Sequence, residues 1–366
     1  MSFRLLKYLF KVGKFLAITP SSPTIAKATL KEKIYGSSMI GLYTVALVVS
    51  LIYRVPQYSR YIHIKLTIHV ILDIMLYTFC VQAIMLALLK RHLWYKLIRN
   101  LKITRDNKFP EKNYFPAFIL WNAFFWAINI YLTCVFGKSI GVEFFKQYSL
   151  DSLQVYVQFI TNYLTYAVLK MLELRYKSVR YMLGCLVRLA KKLETNSTNT
   201  SLRRVKRNFL LLRETVDIFN DVFGWSILLN ILHGSLQMVI YLDDALAGNA
   251  VMSVDWMISD VSIILLYCTG TVVTILLCDS VLYETEHILT VTYKLEKYLP
   301  DENKQQLNAF INILTDNFPQ FSAARFFVIN KSTILKIFNA VLTFFIIIIQ
   351  FENNTLRSFF PTNKTE

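Results

Sequence analysis

Two residues that can titrate lie one helical turn apart in an otherwise apolar stretch. His69 and Asp73 fall within the run from Leu66 to Leu89, where Asp73 is the only charged residue. A carboxyl group in hydrocarbon costs about 2.5 to 3.5 kcal/mol on insertion scales, so it is usually paired or functional. Two interpretations stay open. The residues fix packing, with each other or with Tyr or Asn on a neighbouring segment, or they line a ligand cavity.

Other apolar stretches carry polar and aromatic residues that we expect on the same side of the molecule as Asp73. They are Trp126, Asn129, Tyr131, Gln154, Tyr156, Gln158, Gln237, Tyr241, Asp260 and Tyr267. A small organic ligand needs an aromatic surface with a few polar anchors. Because Tyr and Trp also collect at membrane interfaces, only the whole set indicates a pocket.

The common enzyme motifs are missing from the chain. We find no HExxH, GxSxG, GxxxxGK[ST] or GxGxxG, and none of the five cysteines has CxxC spacing. We therefore expect neither an enzyme nor a disulfide framework. We also expect no metal site and no cofactor.

The elements that hold these residues are predicted to be membrane helices. Of the 366 residues, 55% are hydrophobic and 17% are charged. A membrane-crossing helix needs about 20 mostly apolar residues. Seven stretches meet this condition: Ile34 to Tyr53, Leu66 to Leu89, Asn113 to Gly137, Ser152 to Leu169, Val222 to Leu242, Val261 to Cys278 and Ile334 to Phe351.

The distribution of Lys and Arg predicts the orientation. Most of the 40 basic residues fall in the N-terminal segment and in the connections after the second, fourth and sixth spans. Short cytoplasmic loops retain such residues, so we expect the N-terminus inside and the C-terminus outside. The net charge of +16 then reflects topology, and nucleic-acid binding is not expected.

The predicted organisation divides the chain into seven parts. They are a cytoplasmic basic amphipathic N-terminus (1–33), spans one to four (34–169), a cytoplasmic helical connection (170–221), spans five and six (222–283), a second cytoplasmic helical connection (284–333), the last span (334–351) and an extracellular tail (352–366). Apolar residues recur at helical spacing in both connections, so their helices pack on one another or across subunits. The polar run 195–201 is expected to be a linker.

The last span ends in a recognisable motif. Thr343 and Phe344 precede five apolar residues, and Gln350 and Phe351 follow them. This arrangement resembles the TYhhhhhQF signature of the insect gustatory receptors, with Phe344 in place of the tyrosine. The resemblance extends along the whole chain, because the seven spans and the inside N-terminus also match that family's layout.

The resemblance implies an all-α ligand-gated cation channel of four subunits. The last span of each subunit would line the pore, the cytoplasmic helical extensions would form an anchor, and the ligand would bind in the outer half of spans two to six. Ile347, Gln350 and Phe351 share one helical face and are the expected gate. We expect a negative outer vestibule made by Glu352, Asp243, Asp244 and Asp255.

The expected partners are a small-molecule tastant, permeating cations, membrane lipids and related receptors in a homo- or hetero-tetramer. Sugar-responsive members usually have an acidic residue after the TY pair, whereas Phe345 stands here, which favours bitter compounds or an orphan role. We expect a multi-pass protein in the plasma membrane of a sensory neuron dendrite or other cell body. Asn353 and Asn363 are glycosylation candidates on the outer tail.

Two other classes of protein with several spans remain as alternatives. A G-protein-coupled receptor would need its N-terminus outside and usually carries NPxxY in its last span, which this chain lacks. A secondary transporter would be expected to show internal repeats and mid-membrane breaks, and spans four to seven contain no proline.

Overall fold

The computed structural model describes residues 3–21, 27–58, 63–105, 114–191, 195–246, 254–299 and 301–359. Within these ranges the chain forms ten α-helices and one short β-hairpin. The helices are α1 (Phe3–Phe15), α2 (Leu30–Tyr58), α3 (His63–Leu89), α4 (Arg91–Ile103), α5 (Phe115–Ile140), α6 (Glu143–Ala190), α7 (Thr195–Leu246), α8 (Val254–Glu296), α9 (Asp301–Asp316) and α10 (Ser332–Phe359).

Six of the described helices are long and apolar enough to cross a membrane. They are α2, α3, α5, α7, α8 and α10. The predicted fourth span lies on α6, which is too polar to meet the same condition. All seven predicted stretches therefore coincide with helices, apart from Tyr114, which precedes α5, and Asn113, which lies outside the described residues.

The polarity of α6 follows from its central position. Gln154, Gln158, Thr161 and Thr165 are buried inside the bundle. α6 makes its most extensive contacts with α8 and also packs on α7 and α2. Because protein side chains surround this helix, it needs less apolar surface than a helix that faces lipid.

Proline and glycine set the ends of α5. The helix begins at Phe115 with Pro116 in its first turn, where the missing proline N–H costs nothing. Gly141, with φ of 76°, ends it. The chain therefore turns back into α6 within two residues.

The N-terminal helix is amphipathic, as predicted, but its apolar face lies against protein. Leu5, Leu9 and Phe10 are buried, and the ring of Phe10 lies 5.6 Å from that of Trp94 on α4. Lys7 on the opposite face is exposed. The apolar stripe of this segment therefore covers part of the helical bundle.

The helical extensions beyond the spans pack on one another in a common apolar core. Phe209 on α7 makes edge-to-face contacts with Tyr176 on α6 at 6.3 Å and with Phe310 on α9 at 6.4 Å. Leu212 and Leu314 are also buried. The predicted amphipathic stripes of both connections therefore meet within a single chain.

The predicted linker 195–201 is helical and belongs to the first turns of α7. Its Asn, Ser and Thr residues resemble those that start helices, because their side chains can accept hydrogen bonds from the free N–H groups of a first turn. The connection between α6 and α7 is accordingly much shorter than expected.

A β-hairpin connects α9 to α10. Its strands are β1 (Ser322–Ala323) and β2 (Phe327–Val328), which pair antiparallel. It lies directly on α7, because a Cβ on Gly224 would stand 2.9 Å from the backbone nitrogen of Ala324. Only glycine permits this approach without displacing the hairpin.

Candidate functional site

A cavity of about 220 Å³ lies between α5, α6 and α8. Its described lining residues are Ala117, Trp121, Phe125, Val155, Gln158, Phe159, Asn162, Tyr163, Tyr166, Leu266, Tyr267, Thr269, Gly270, Val273 and Thr274. Helical spacing explains the contribution of α6, because Gln158, Asn162 and Tyr166 follow one another at intervals of four on one face. Compared with the expected pocket residues, the lining lies nearer the start of α5 and extends further along α6 and α8.

The lining is aromatic, with a few amides and hydroxyls. None of its described residues is Asp, Glu, Lys, Arg or His. Thr274 donates its hydroxyl to the Gly270 carbonyl at 2.9 Å, so that group is already satisfied within α8. An aromatic lining with few polar groups and no charge suits a small organic molecule without formal charge.

Three amide side chains form a hydrogen-bonded series beside the cavity; Gln158 and Asn230 are buried, and Asn162 is half-buried. Gln158 Nε2 donates to Asn230 Oδ1 at 2.6 Å, and Asn230 Nδ2 donates to Asn162 Oδ1. Asn230 belongs to α7 and is not among the described lining residues, whereas Gln158 and Asn162 are. These hydrogen bonds therefore connect the cavity wall on α6 to α7 behind it.

Two residues of the expected pocket set, Gln158 and Tyr267, line this cavity. Gln154 is buried one turn from Gln158 on α6. Tyr156 packs its ring against Trp126 at 5.1 Å. These residues flank the cavity without entering its described lining.

The remaining members of that set lie elsewhere. Asn129 donates to the Phe125 carbonyl at 2.9 Å, and the Tyr131 hydroxyl lies 3.4 Å from the Asp255 carbonyl. Gln237 and Tyr241 are half-buried on α7. The side chain of Asp260 is outside the described part of the chain.

Asp73 belongs to a charged cluster of its own. Its carboxylate accepts from Arg54 Nη1 at 2.8 Å and from the Tyr58 hydroxyl at 2.6 Å. Arg54 also pairs with Asp151, and the ring of His69 stacks on Tyr58 at 6.3 Å. The cluster joins α2, α3 and α6 outside the cavity, which fits the packing interpretation.

The exposed face of α10 carries a stripe of polar residues. Lys336, Asn339, Thr343 and Gln350 follow at intervals of three, four and seven, so they share one helical face, and all four are exposed. Ile347 lies between Thr343 and Gln350 on the same face and is 40% exposed.

The opposite face of α10 packs against the bundle. Val341 is buried, and Ile334 and Ile337 pack on the core. Phe344 is exposed beside the polar stripe. The side chains of Phe351, Glu352 and Asn353 and of the vestibule candidates Asp243 and Asp244 lie outside the described part, as does the whole of Asn363. Asp255 is exposed.

Two ion pairs join the start of α10 to the bundle. Arg325 in the hairpin pairs with Asp221 on α7 at 2.9 Å, and Lys331 pairs with Asp279 on α8 at 3.0 Å. Asp279 follows the cavity-lining Thr274 by five residues on α8. The helix that lines the cavity therefore also contacts the segment that leads into the last helix.

Comparison with known proteins identifies the family. Residues 6–355 match the model of the 7tm chemosensory receptor family. The chain belongs to that family. The family resemblance predicted from the motif in the last span is thus confirmed, and the chain is a multi-pass plasma-membrane receptor. No curated protein matches this receptor's sequence.

Solved structures support the same fold. The chemosensory receptor is similar to the insect olfactory receptor OR5 from Machilis hrabei, with a TM-score of 0.69 at 14% identity, covering 95% of this chain and 99% of that one. The same olfactory receptor in complex with eugenol gives a TM-score of 0.61 at 12% identity, with the same coverage. At these identities the likeness shows the fold alone.

Sequence reasoning did not single out several residues of this receptor that the structure brings together. Asn162, Trp121 and Tyr166 line the cavity, and Asn230 supports it. A usable signal existed, because an amide in the middle of an apolar span must find a partner. Arg54 was placed at the boundary of the first span, which concealed its pairing with Asp73.

Proposed function

We propose that this receptor is a gustatory receptor that acts as a ligand-gated, non-selective cation channel. A small non-sugar tastant would bind in the cavity between α5, α6 and α8. Four copies, identical or related, would surround a pore lined by α10. Membership of the chemosensory family favours this proposal over a G-protein-coupled receptor or a transporter.

The polar stripe on α10 is the observation that carries the channel proposal. An amide or an ammonium group on a lipid-facing helix is costly, because hydrocarbon offers no hydrogen-bond partners. The same groups cost little where they face water. Four α10 helices with Asn339, Thr343 and Gln350 turned toward a common axis would provide a hydrated path for ions.

We place the gate where the residues that line this path change from polar to apolar. Ile347 interrupts the polar stripe one turn before Gln350, so four copies would form an apolar constriction that excludes water. Next to it, four Gln350 amides can bond between subunits when the pore is closed and face water when it is open. Phe351 follows in sequence and would complete the constriction.

The taste assignment rests on the motif and on the cavity. The residues Thr343 to Phe351 follow the gustatory signature except at Phe344. The aromatic, uncharged lining is suited to a small organic compound, and the structurally similar OR5 was solved with eugenol. Phe345 in place of an acidic residue favours a non-sugar ligand.

Replacing Gln350 by Ala tests the gate. We expect normal surface expression and an altered leak or ligand-gated current, because the closed state would lose its amide bonds between subunits. Whole-cell recording of the receptor expressed alone, and with related receptors, measures this. Gln305, an exposed amide on α9, is the matched control, and Gln305→Ala should leave the currents unchanged. Unchanged currents in Gln350→Ala would contradict the gate assignment.

A further inference from the structure

We propose that the cavity binds an uncharged aromatic ligand that carries a hydroxyl group. Gln158 accepts the ligand's hydrogen bond, and Asn230 on α7 acts as a positioning residue for Gln158. This inference rests on the proposed function, because it names the ligand class of the same cavity.

The first argument is a buried acceptor in the cavity wall. Gln158 is 3% exposed, and its Nε2 is used by Asn230 Oδ1. Among the described residues, its Oε1 has no hydrogen-bond partner. A buried acceptor without a partner is unfavourable, so a ligand that brings a donor to this oxygen gains more than one that does not.

The second argument is the polarity of the amide series. Asn230 accepts from Gln158 and donates to Asn162 Oδ1, which leaves Asn162 Nδ2 as a donor at the cavity. Two residues of the cavity wall thus carry an acceptor and a donor one helical turn apart, about 6 Å along the axis. If all three amides turned over, the acceptor and the donor would exchange places. A hydroxyl group both donates and accepts hydrogen bonds, so it can pair with the amides in either of these two orientations.

The third argument concerns charge. A cationic amine or a carboxylate would lose its hydration in the cavity and would find no opposite charge among the described lining residues. A sugar would need a partner for each of several hydroxyls, whereas most of the lining is aromatic or aliphatic. Both classes are therefore disfavoured.

The fourth argument concerns size and shape. A cavity of about 150 Å³ lined by apolar residues holds benzene. The present cavity, at about 220 Å³, has room for one ring with short substituents. The rings of Trp121, Phe125 and Phe159 can pack on that ring by stacking or edge contacts.

The role of Asn230 follows from its position outside the cavity. It is buried on α7, and α7 also packs against α10. By holding Gln158 Nε2, Asn230 directs Oε1 toward the ligand. The hydrogen bond of the ligand is thus made to a side chain that is fixed by a helix in contact with the proposed pore helix.

Binding of matched ligand pairs to the full-length receptor in lipid nanodiscs tests this inference. The probes are eugenol and 4-propylphenol, each compared with its own O-methyl ether. We expect each phenol to bind about tenfold more tightly than its ether, since one buried hydrogen bond differs. Gln158→Leu should abolish this ratio, and Asn230→Ala should reduce it. Thr290→Val, a change at an exposed position of α8 outside the cavity, should preserve it.

The ratio separates the specific roles from general damage, because a misfolded cavity would weaken both members of a pair equally. Equal binding of phenol and ether to the unchanged receptor would overturn the inference. A ratio that survives Gln158→Leu, or tighter binding of a charged amine or a sugar, would do the same. Phenol binding without any current would support the ligand class and contradict the channel function. Currents opened only by charged amines would support the channel function and contradict the ligand class.

Discussion

Two carboxylates in this receptor, Asp73 and Glu173, are paired with hydrogen-bond donors from the same or neighbouring helices. Asp73 illustrates how far the sequence predicts such arrangements. Pairing with Tyr on a neighbouring span was one of two open interpretations, and Tyr58 is a partner. Arg54 and Asp151 were not predicted, because the contact depends on how α2, α3 and α6 are arranged, and no local pattern specifies that.

A prediction at the residue scale concerns Glu173, in the part of α6 that follows the predicted fourth span. Its buried carboxylate pairs with Lys170 and Lys177, each at 2.5 Å. Glu173→Gln leaves two ammonium groups without their shared partner and should lower the free energy of unfolding by about 1 to 3 kcal/mol. Thermal unfolding in detergent measures this. Glu143 pairs with Lys146 at an exposed site, so Glu143→Gln should have little effect.

The same contact gives a pH dependence. Burial raises the pKa of Glu173, whereas the hydrogen bonds and positive charges of Lys170 and Lys177 lower it. The lowering is the larger of the two effects, so the pKa of Glu173 lies below its ordinary value of 4.5. A depressed carboxyl pKa stabilises the fold above 4.5, and the stabilisation disappears as the pH falls through the lower folded value. The stability difference between the parent and Glu173→Gln should therefore shrink in acid. A constant difference would show that charge is not responsible.

Among the elements, the spanning helices and their extensions were predictable, whereas α4 and the hairpin were not. Apolar runs of sufficient length predicted every spanning helix, and apolar residues at helical spacing predicted their extensions. The hairpin turns at Ala324 and Arg325, with φ of 49° and 66°, and neither is the Gly or Asn that normally indicates such a turn. Contacts with α7 hold it, and those contacts are invisible in the local sequence.

Gly224 provides a prediction at the scale of elements. An added methyl group would meet the backbone of the hairpin at 2.9 Å, so Gly224→Ala should move the hairpin away from α7 and destabilise the receptor by about 1 to 3 kcal/mol. Gly184 on α6 has nothing within 4 Å of an added Cβ. Gly184→Ala should be neutral or stabilising by up to about 1 kcal/mol, because alanine favours helix. Thermal unfolding of both variants distinguishes steric conflict from helix propensity.

For the whole molecule, the position of Lys336 predicts an effect on ion flow. It lies near the start of the polar stripe on α10, and four copies would place four positive charges near the inner mouth of the proposed pore. A positive charge opposes a cation by about 1 kcal/mol at 4 Å in water. Lys336→Gln should therefore increase single-channel cation conductance. Lys297 is exposed outside the spans, and Lys297→Gln should leave conductance as it is.

The orientation of the chain is a second prediction at this scale. Epitope tags on both termini should show the C-terminus alone in unpermeabilised cells. We expect a glycosidase to shift the mobility of the parent chain, and the double change Asn353→Gln and Asn363→Gln to remove that shift. A cytoplasmic C-terminus would exclude both the vestibule and the gate. The tetramer is expected only from the family resemblance, because a single chain does not display the symmetry of an assembly.

The polar stripe on α10 also bears on biogenesis. If α10 lines a shared pore, a newly inserted subunit without its partners would present Asn339 and Gln350 to lipid, where polar groups are costly. We expect the quality-control machinery of the endoplasmic reticulum to retain such a subunit. Assembly would hide these groups around a shared axis. Arrival at the cell surface would then report that the correct neighbours have been found, and a chain that requires a co-receptor would be retained until it is synthesised alongside one.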